Sequence, residues 1–188
     1  MAGECRHSQQ AAGLAAGDRE ANPYSYGATI MQLPENIHAD TLPAIGADLA
    51  GGKLITLYML AGVEFALVYL GAAAEVKGPW GEYGQEVKTT HGDGERNTRA
   101  MAEVGGAIAI QALEVGAFIP SAMECHLLMH AKETGVIEDL REDRFYWSST
   151  QSSANYAYYV GFEYGWQSLN DKNCERVAPL VRKIPVIR

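Results

Sequence analysis

The sequence has 188 residues, of which 47% are hydrophobic and 20% charged, so it favours one well-packed domain and excludes a chain that is disordered throughout. Its formal net charge of −8, with no cluster of Lys or Arg, argues against nucleic acid as a partner. We predict a flexible N-terminal tail over residues 1–22, which lacks the apolar core of a secretory signal, and a single domain over residues 23–188.

Three cysteines are spread along the chain. Cys5, Cys125 and Cys174 lack the C-x-x-C spacing that is typical of a zinc or redox site. Three cysteines cannot all pair within one chain, so we predict that they are free thiols.

An apolar run over residues 54–74 has the length of a membrane span, but a β-hairpin explains it better. Glu64 would be costly at the centre of a bilayer, and Gly62 divides two stretches that are rich in β-branched and aromatic residues. We predict buried strands at residues 54–60 and 63–70, with no membrane insertion. The proline-containing residues 23–52 before them predict irregular structure with one short strand.

Two helices are expected after the hairpin. In the first, Met101, Val104, Ile108 and Ala112 share one helical face, and Asn97 or Thr98 is the predicted N-cap. This assignment makes residues 105 and 106, both glycine, part of the helix.

The second helix has clearer boundaries. Ser121 and Glu124 have the spacing of a capping box directly after Pro120, and Gly135 provides the stop. Short aromatic strands with polar turns follow from residue 144. This order of elements predicts an α+β fold.

The run FYWSST at residues 145–150 resembles the signature of a bacterial and phage family with a C-type-lectin-like fold. The segments DGERNTRAM and FIPSAMECHLLM resemble the helix starts of that family. The resemblance implies two helices packed on an antiparallel β-sheet with long irregular loops, and a variable region at about residues 145–183. It covers about half of the chain. Further matching positions are Ala157, Tyr158, Tyr159, Val160, Gly161, Phe162, Gly165, Arg176, Val177, Val181 and Arg182.

Members of this family are similar in fold to formylglycine-generating enzymes, and some are variable proteins of diversity-generating retroelements, such as the phage major tropism determinant. Those variable proteins bind ligands and do not catalyse reactions. Adenine-directed mutagenesis rewrites chosen codons near their C-terminus, chiefly Asn codons, while the residues of the framework are kept. The resemblance implies framework positions at Trp147, Ser148, Ser149, Ala157, Tyr158, Val160, Phe162, Gly165, Val177 and Val181.

The positions between the framework residues are the candidate ligand-binding residues. They are rich in Tyr, Ser, Gly and Asn, the mixture that paratopes use, because Tyr offers rigid contact area and small polar residues adapt their hydrogen bonds. Trp166 beside Tyr164 is the expected central anchor. The alternative is a solvated hairpin whose aromatic residues pack sideways. The candidates are Ser153, Asn155, Tyr156, Tyr159, Gly161, Glu163, Tyr164, Trp166, Ser168, Asn170, Asp171, Asn173 and Cys174.

We predict no catalytic residues, no cofactor and no metal site. His126 and His130 have metal-ligand spacing on the second helix, but the Glu of an H-E-x-x-H motif and a clear third ligand are missing. Asp93 is better explained by helix capping than by calcium binding. Cys125 and Cys174 were weighed as a reactive pair, and the acidic surroundings of the second argue against it.

The expected function is therefore that of a receptor- or ligand-binding protein whose partner is a protein or a cell-surface receptor. A location on a virion or a bacterial surface fits this function, and homo-oligomer formation is left open. Two rivals are a formylglycine-generating or sulfatase-modifying enzyme and a structural subunit of a phage tail fibre, which would use the same surface for contacts between subunits.

Overall fold

A computed structural model provides the structure of the protein and describes residues 34–188. The predicted tail, residues 1–22, lies outside the described residues. The described part contains three α-helices and two five-stranded sheets, so the predicted α+β class is confirmed. In chain order its strands and helices are β1 (Ile37–His38), β2 (Asp48–Leu49), β3 (Gly52–Leu60), β4 (Val63–Tyr69), β5 (Val76–Pro79), α1 (Gly94–Glu103), α2 (Ala107–Glu114), α3 (Ala122–Glu133), β6 (Phe145–Gln151), β7 (Tyr156–Gly161), β8 (Gln167–Asp171), β9 (Glu175–Ala178) and β10 (Val181–Ile187).

The first sheet has the strand order β1-β10-β4-β3-β2. Strands β3 and β4 pair antiparallel from Leu60 and Val63 outward, which confirms the predicted hairpin. Its two-residue turn, Ala61 and Gly62, has φ values of 49° and 83°, the left-handed conformation that matches the twist of hairpin strands. No helix among residues 34–188 is long and apolar enough to cross a membrane.

Helix α1 begins earlier than the sequence predicted. Its N-cap is Asp93, whose carboxylate accepts a hydrogen bond from the backbone N–H of Arg96. The predicted caps Asn97 and Thr98 are instead buried inside the helix. Burial is the largest single influence on the pKa of Asp93 and raises it, but the hydrogen bonds from Lys183 at 2.7 Å and from the Arg96 backbone N–H, together with the charges of Lys183 and Arg96, outweigh burial and lower this pKa. The capping role that we expected for Asp93 is confirmed.

The predicted first helix is in fact two helices. Gly105 has a φ of 87°, and the backbone N–H of Gly106 donates to the carbonyl oxygen of Met101 at 2.9 Å, which closes α1. A new helix, α2, starts one residue later. The common apolar stripe from Met101 to Ala112 therefore spans a break, and the prediction of one helix was wrong because the left-handed residue ends the helical hydrogen bonding.

Helix α3 confirms the capping-box prediction. The Ser121 hydroxyl accepts from the Glu124 backbone N–H, and the Glu124 carboxylate accepts from the Ser121 backbone N–H at 2.8 Å. The same carboxylate, fully buried, also accepts from Gly94 N–H at 2.9 Å and from the Tyr58 hydroxyl at 2.7 Å. Glu124 thus joins α3 to α1 and β3. Gly135, at a φ of 73°, follows the end of the helix as predicted.

The second sheet has the strand order β5-β9-β6-β7-β8. Its pairings are antiparallel except between β6 and β9, which are parallel, as are β1 and β10 in the first sheet. The prediction of an antiparallel sheet thus holds for most strand pairs. Strand β8 is the last strand in this order and pairs with β7. The candidate residues lie in β7, in β8 and in the turns next to them, so they are found at this edge of the sheet.

Candidate ligand-binding surface

The Trp-Ser-Ser-Thr run of β6 is a buried framework. Trp147 is fully buried, and its indole Nε1–H donates to the carbonyl oxygen of Gly78 at 3.2 Å. Ser148 donates from its hydroxyl to the carbonyl oxygen of Tyr158 at 3.1 Å. The backbone N–H of Ser149 donates to Pro120 at 2.8 Å, just before α3. The run therefore ties β6 to β5, to β7 and to the start of α3.

Burial separates the framework positions from the candidate positions. All but three of the framework positions implied by the resemblance are buried, and Tyr158, Gly165 and Val177 are half-buried. All but two of the candidate positions keep contact with solvent. The exposed candidates are Tyr156, Glu163, Tyr164, Trp166 and Asn173, the half-buried ones are Ser153, Asn155, Tyr159, Ser168, Asn170 and Asp171, and the buried ones are Gly161 and Cys174.

Gly161 is buried because two aromatic side chains pack on it. A Cβ atom at this position would lie 3.1 Å from the Phe145 ring and 3.5 Å from the Trp166 indole nitrogen. Distances below about 3.4 Å are tight for carbon atoms, so the glycine makes room for these rings. Its role is to seat Trp166, and the sequence-based expectation of direct ligand contact does not fit its burial.

Cys174 corrects two expectations. It is disulfide-bonded, whereas Cys125 is a free thiol in the core. The prediction of free thiols is therefore wrong for Cys174, because an odd number of cysteines still allows one bridge. Cys174 is also only 4% exposed. Its burial fits a structural role and does not fit the ligand contact that the sequence analysis expected. The two cysteines do not form the reactive pair that we weighed.

The candidate side chains lie on two different faces of the sheet. Residues of a strand alternate between faces, so Tyr156 and Tyr159, three apart in β7, point in opposite directions. Tyr159 is paired with Trp147 and Ser168, and Tyr156 is paired with Asp171. We call the side of Tyr159 the front face, defined by Phe145, Tyr159, Gly161, Trp166, Ser168, Asn170 and Arg176. The four aromatic candidates thus do not form one patch, since Tyr156 lies on the other face and Tyr164 in the following turn.

An aromatic cluster occupies the centre of the front face. The rings of Phe145 and Trp166 are 5.2 Å apart, those of Phe145 and Tyr159 5.3 Å, and those of Tyr159 and Trp166 5.7 Å between centroids. All three pairs are edge-on, the favoured geometry of aromatic contacts. Trp166 remains 42% exposed, so the predicted anchor is held by its neighbours and still open to solvent.

Phe145 and Arg176 lie on the front face, but the sequence analysis did not place them among the candidate ligand-binding residues. Phe145 lies two residues before Trp147 in β6, and Arg176 lies in β9 with its guanidinium carbon 4.2 Å from the Tyr159 ring centroid. The period of two residues would have placed Phe145 on the face of Trp147. No local signal could have placed Arg176 beside the Tyr159 ring, because β9 reaches β6 through a parallel pairing of strands that are distant in the sequence.

The turn between β7 and β8 holds Trp166 in place. The backbone N–H of Gly161 donates to Trp166 at 3.1 Å, and that of Gly165 donates to Gly161 at 2.9 Å. Gly165 has a φ of 68°, and a Cβ atom at this position would lie 3.2 Å from the Met129 side chain in α3. Tyr164, at the tip, is 75% exposed. The turn therefore has a rigid base and a free side chain at its tip.

A buried lysine fixes the turn between β8 and β9. The Lys172 ammonium donates to the carbonyl oxygen of Gln85 at 2.6 Å and to the side-chain oxygen of Gln151, and lies 4.6 Å from the Trp80 ring centroid. Burial lowers the pKa of Lys172 to about 8, and the charge of Glu86 opposes this effect. The burial of Lys172 could not be predicted from the sequence, because its neighbours Asp171 and Asn173 are typical of a solvated turn.

Outside this surface, the histidines of α3 and the Cys125 thiol are the groups that were considered for metal binding and catalysis. Within residues 34–188, no group of three or more His, Cys, Asp and Glu side chains is placed to hold a metal ion. His126 and His130 are both exposed on α3. Burial raises the pKa of the Cys125 thiol, which disfavours the reactive thiolate.

No protein-family model matches the sequence, and no curated protein matches it.

Proposed function

We propose that the chain is a ligand-binding protein with a C-type-lectin-like fold, which presents a variable surface to a protein or cell-surface receptor and is not an enzyme. The observation that carries this proposal is the separation by burial: most framework positions are buried in the core, while most of the positions between them keep contact with solvent. Such a separation lets surface side chains change without loss of core packing, because substitutions away from buried groups usually change stability little.

The aromatic cluster supports binding as the role of this surface. Exposed Trp and Tyr side chains are enriched at the energetic centres of interfaces, where a rigid ring buries much area at a low cost in conformational entropy. Trp166 and Tyr159 meet this description, with Ser168 and Asn170 beside them as small polar neighbours on the same face. Sugar is not implied by the fold, because sites arise separately on a shared scaffold.

The proposed origin of the variation can be tested by genetics. If the gene is a target of a diversity-generating retroelement, a reverse transcriptase gene and a template repeat will lie near it. Copies of the gene from related genomes will then differ at the exposed candidate positions and keep the codons of the buried framework. Differences that are spread evenly along the chain would contradict the proposal.

The tolerance of the surface can be measured directly. We expect the combined variant Tyr156→Ser, Tyr164→Ser, Ser168→Tyr and Asn170→Tyr to change the free energy of unfolding by no more than about 1 kcal/mol. Trp147→Ala, the control within the framework, should cost about 3–5 kcal/mol because it opens a cavity in the core. Urea unfolding measures both values. A combined variant that is as unstable as Trp147→Ala would rule out a variable surface here.

A further inference from the structure

Arg176 is placed at the centre of the front face by three aromatic rings. Its guanidinium carbon lies 4.2 Å from the ring centroid of Tyr159, 5.4 Å from that of Phe145 and 5.5 Å from that of Trp147. Such contacts between a cation and ring faces hold the guanidinium plane and reduce its freedom. The side chain is half-buried, so its position is fixed while part of it stays within reach of a ligand.

The Arg176 guanidinium also has no hydrogen-bond acceptor among the described residues. Within the described part of the chain, its guanidinium forms no hydrogen bond or ion pair, and its Nε atom is buried without an acceptor. Every other buried or half-buried cation of residues 34–188 donates to an oxygen atom; these are Lys132, Arg144, Lys172, Arg182 and Lys183.

An unpaired, partly desolvated guanidinium is costly, because a buried charge without hydrogen bonds loses its hydration and gains nothing in return. Burial lowers the pKa of Arg176, which reflects this cost, and Tyr159 opposes the effect. An arginine nevertheless stays charged in proteins. The missing acceptor is therefore best supplied from outside, by an anionic group on a bound molecule.

We propose that Arg176 binds the carboxylate of an Asp or Glu side chain in a protein ligand, while Trp166 and Tyr159 contact an apolar side chain next to it. This inference rests on the proposed function of the front face and names the chemistry of its ligand. A carboxylate fits because the planar guanidinium presents parallel N–H donors, which pair with both carboxylate oxygens. The formal charge of −8 does not prevent this, since exposed charges beyond about 8–10 Å are largely screened at physiological salt.

A polypeptide is favoured over an acidic sugar by the shape of the surface. The front face ends at β8, which lies last in the strand order of its sheet. The backbone groups on the outer side of such a strand can pair with an extended peptide. Ser168 and Asn170 of β8 stand beside Tyr159 and Ala157 of β7 on the same face. An extended chain along β8 can therefore place alternate side chains over the aromatic cluster.

Nuclear magnetic resonance of the whole protein tests this inference. The probes are two blocked dipeptides, N-acetyl-Phe-Glu-amide and N-acetyl-Phe-Gln-amide, which differ only in the carboxylate. The Nε–H signal of Arg176 and the indole N–H signal of Trp166 report on the two halves of the surface. We expect the Glu peptide to shift both signals at millimolar concentration and to bind at least about tenfold more tightly than the Gln peptide.

Two variants complete the experiment. Arg176→Gln should remove the preference for the Glu peptide, while Arg188→Gln, at an exposed arginine paired with Glu64 on the other sheet, should keep it. Circular dichroism confirms that both variants are folded. If Arg176→Gln does not fold, the comparison of the two peptides on the unaltered protein decides the question.

Three results would overturn the inference. One is equal binding of the two peptides, and another is the absence of any shift of the Arg176 signal with the Glu peptide. The third is binding of free glucuronate as tightly as the Glu peptide, which would identify an acidic sugar. Equal shifts of the Trp166 indole N–H signal by both peptides would contradict the role of Arg176 but not the proposed binding function. Differences that are spread evenly along the chain between gene copies would contradict the binding function itself.

Discussion

Lys172 loses all its exposed surface on folding, yet its ammonium group keeps two oxygen acceptors, on Gln85 and Gln151. The lysine connects the β8–β9 turn to the loop that carries Trp80. Its acceptors are neutral amide oxygens, which repay only part of the lost hydration of a cation. Lys172 thus holds the β8–β9 turn beside the candidate surface. The cost in free energy of folding depends on the charge of its ammonium group.

This cost predicts a dependence of stability on pH. Burial lowers the pKa of Lys172 to about 8 from an ordinary value of 10.5. Between these values the unfolded chain binds more protons than the folded protein, so the free energy of unfolding rises with pH through this window. In Lys172→Met this contribution is missing. Urea unfolding at about pH 7 and about pH 10 should show that the stability of the unaltered protein relative to the variant increases with pH.

The comparison with the variant removes the effect of other groups, such as tyrosines, that titrate in both proteins. A stability difference that stays constant between the two pH values would show that the Lys172 ammonium is better solvated than its burial implies.

Among the elements, the α1–α2 pair owes its shape to one glycine. Gly105 has a φ of 87°, and no atom lies within 4 Å of where its Cβ would be. The space would therefore admit a side chain, and only the left-handed backbone conformation disfavours it. The break turns α2 so that Ile108 packs on Gly78 of β5, which supports the sheet next to the Trp147 indole.

Gly105→Ala should accordingly destabilise the protein. Gly81→Ala is the matched control, because Gly81 also has free space around its missing Cβ but no positive φ. Both variants restrict the unfolded chain equally, so their difference isolates the strain of the left-handed residue. We expect Gly105→Ala to be less stable than Gly81→Ala by about 1–2 kcal/mol in urea unfolding. Equal stability would mean that the α1–α2 junction relaxes without cost.

In the whole molecule, the reactivity of the Cys125 thiol measures how readily the core opens. The thiol belongs to α3 and is fully buried in the cluster that contains Tyr146, Val160 and Phe162. Tyr146 lies in β6 and Val160 in β7, the two strands that also carry residues of the front face, and Phe162 directly follows β7. Exposure of Cys125 therefore requires that α3 separate from the second sheet.

Alkylation of Cys125 by iodoacetamide should thus be very slow in the native protein and should follow global unfolding as urea is added. Mass spectrometry of the peptide that contains Cys125 gives the rate, which is compared with the unfolding curve from circular dichroism. Ser152→Cys, at an exposed position, provides a thiol that should react rapidly in the folded state. Labelling of Cys125 well below the unfolding transition would show that α3 opens independently.

Features that depend on residues close together in the chain could be predicted from the sequence alone. The β3–β4 hairpin followed from its apolar run and from Gly62, and the start of α3 followed from the capping-box spacing of Ser121 and Glu124. These predictions succeeded because turn conformation and helix capping are decided by residues only a few positions apart.

Which of these residues come into contact depends on the folded arrangement of the strands and could not be predicted from the sequence. The alternation within β7 separates Tyr156 from Tyr159, and the pairing of β9 with β6 brings Arg176 over the Tyr159 ring. Lys172 became a buried residue for the same reason, since its acceptors Gln85 and Gln151 come from distant parts of the chain. Contacts of this kind depend on how strands are ordered in a sheet and on which face each side chain occupies, and the register of one strand does not fix that of its neighbours.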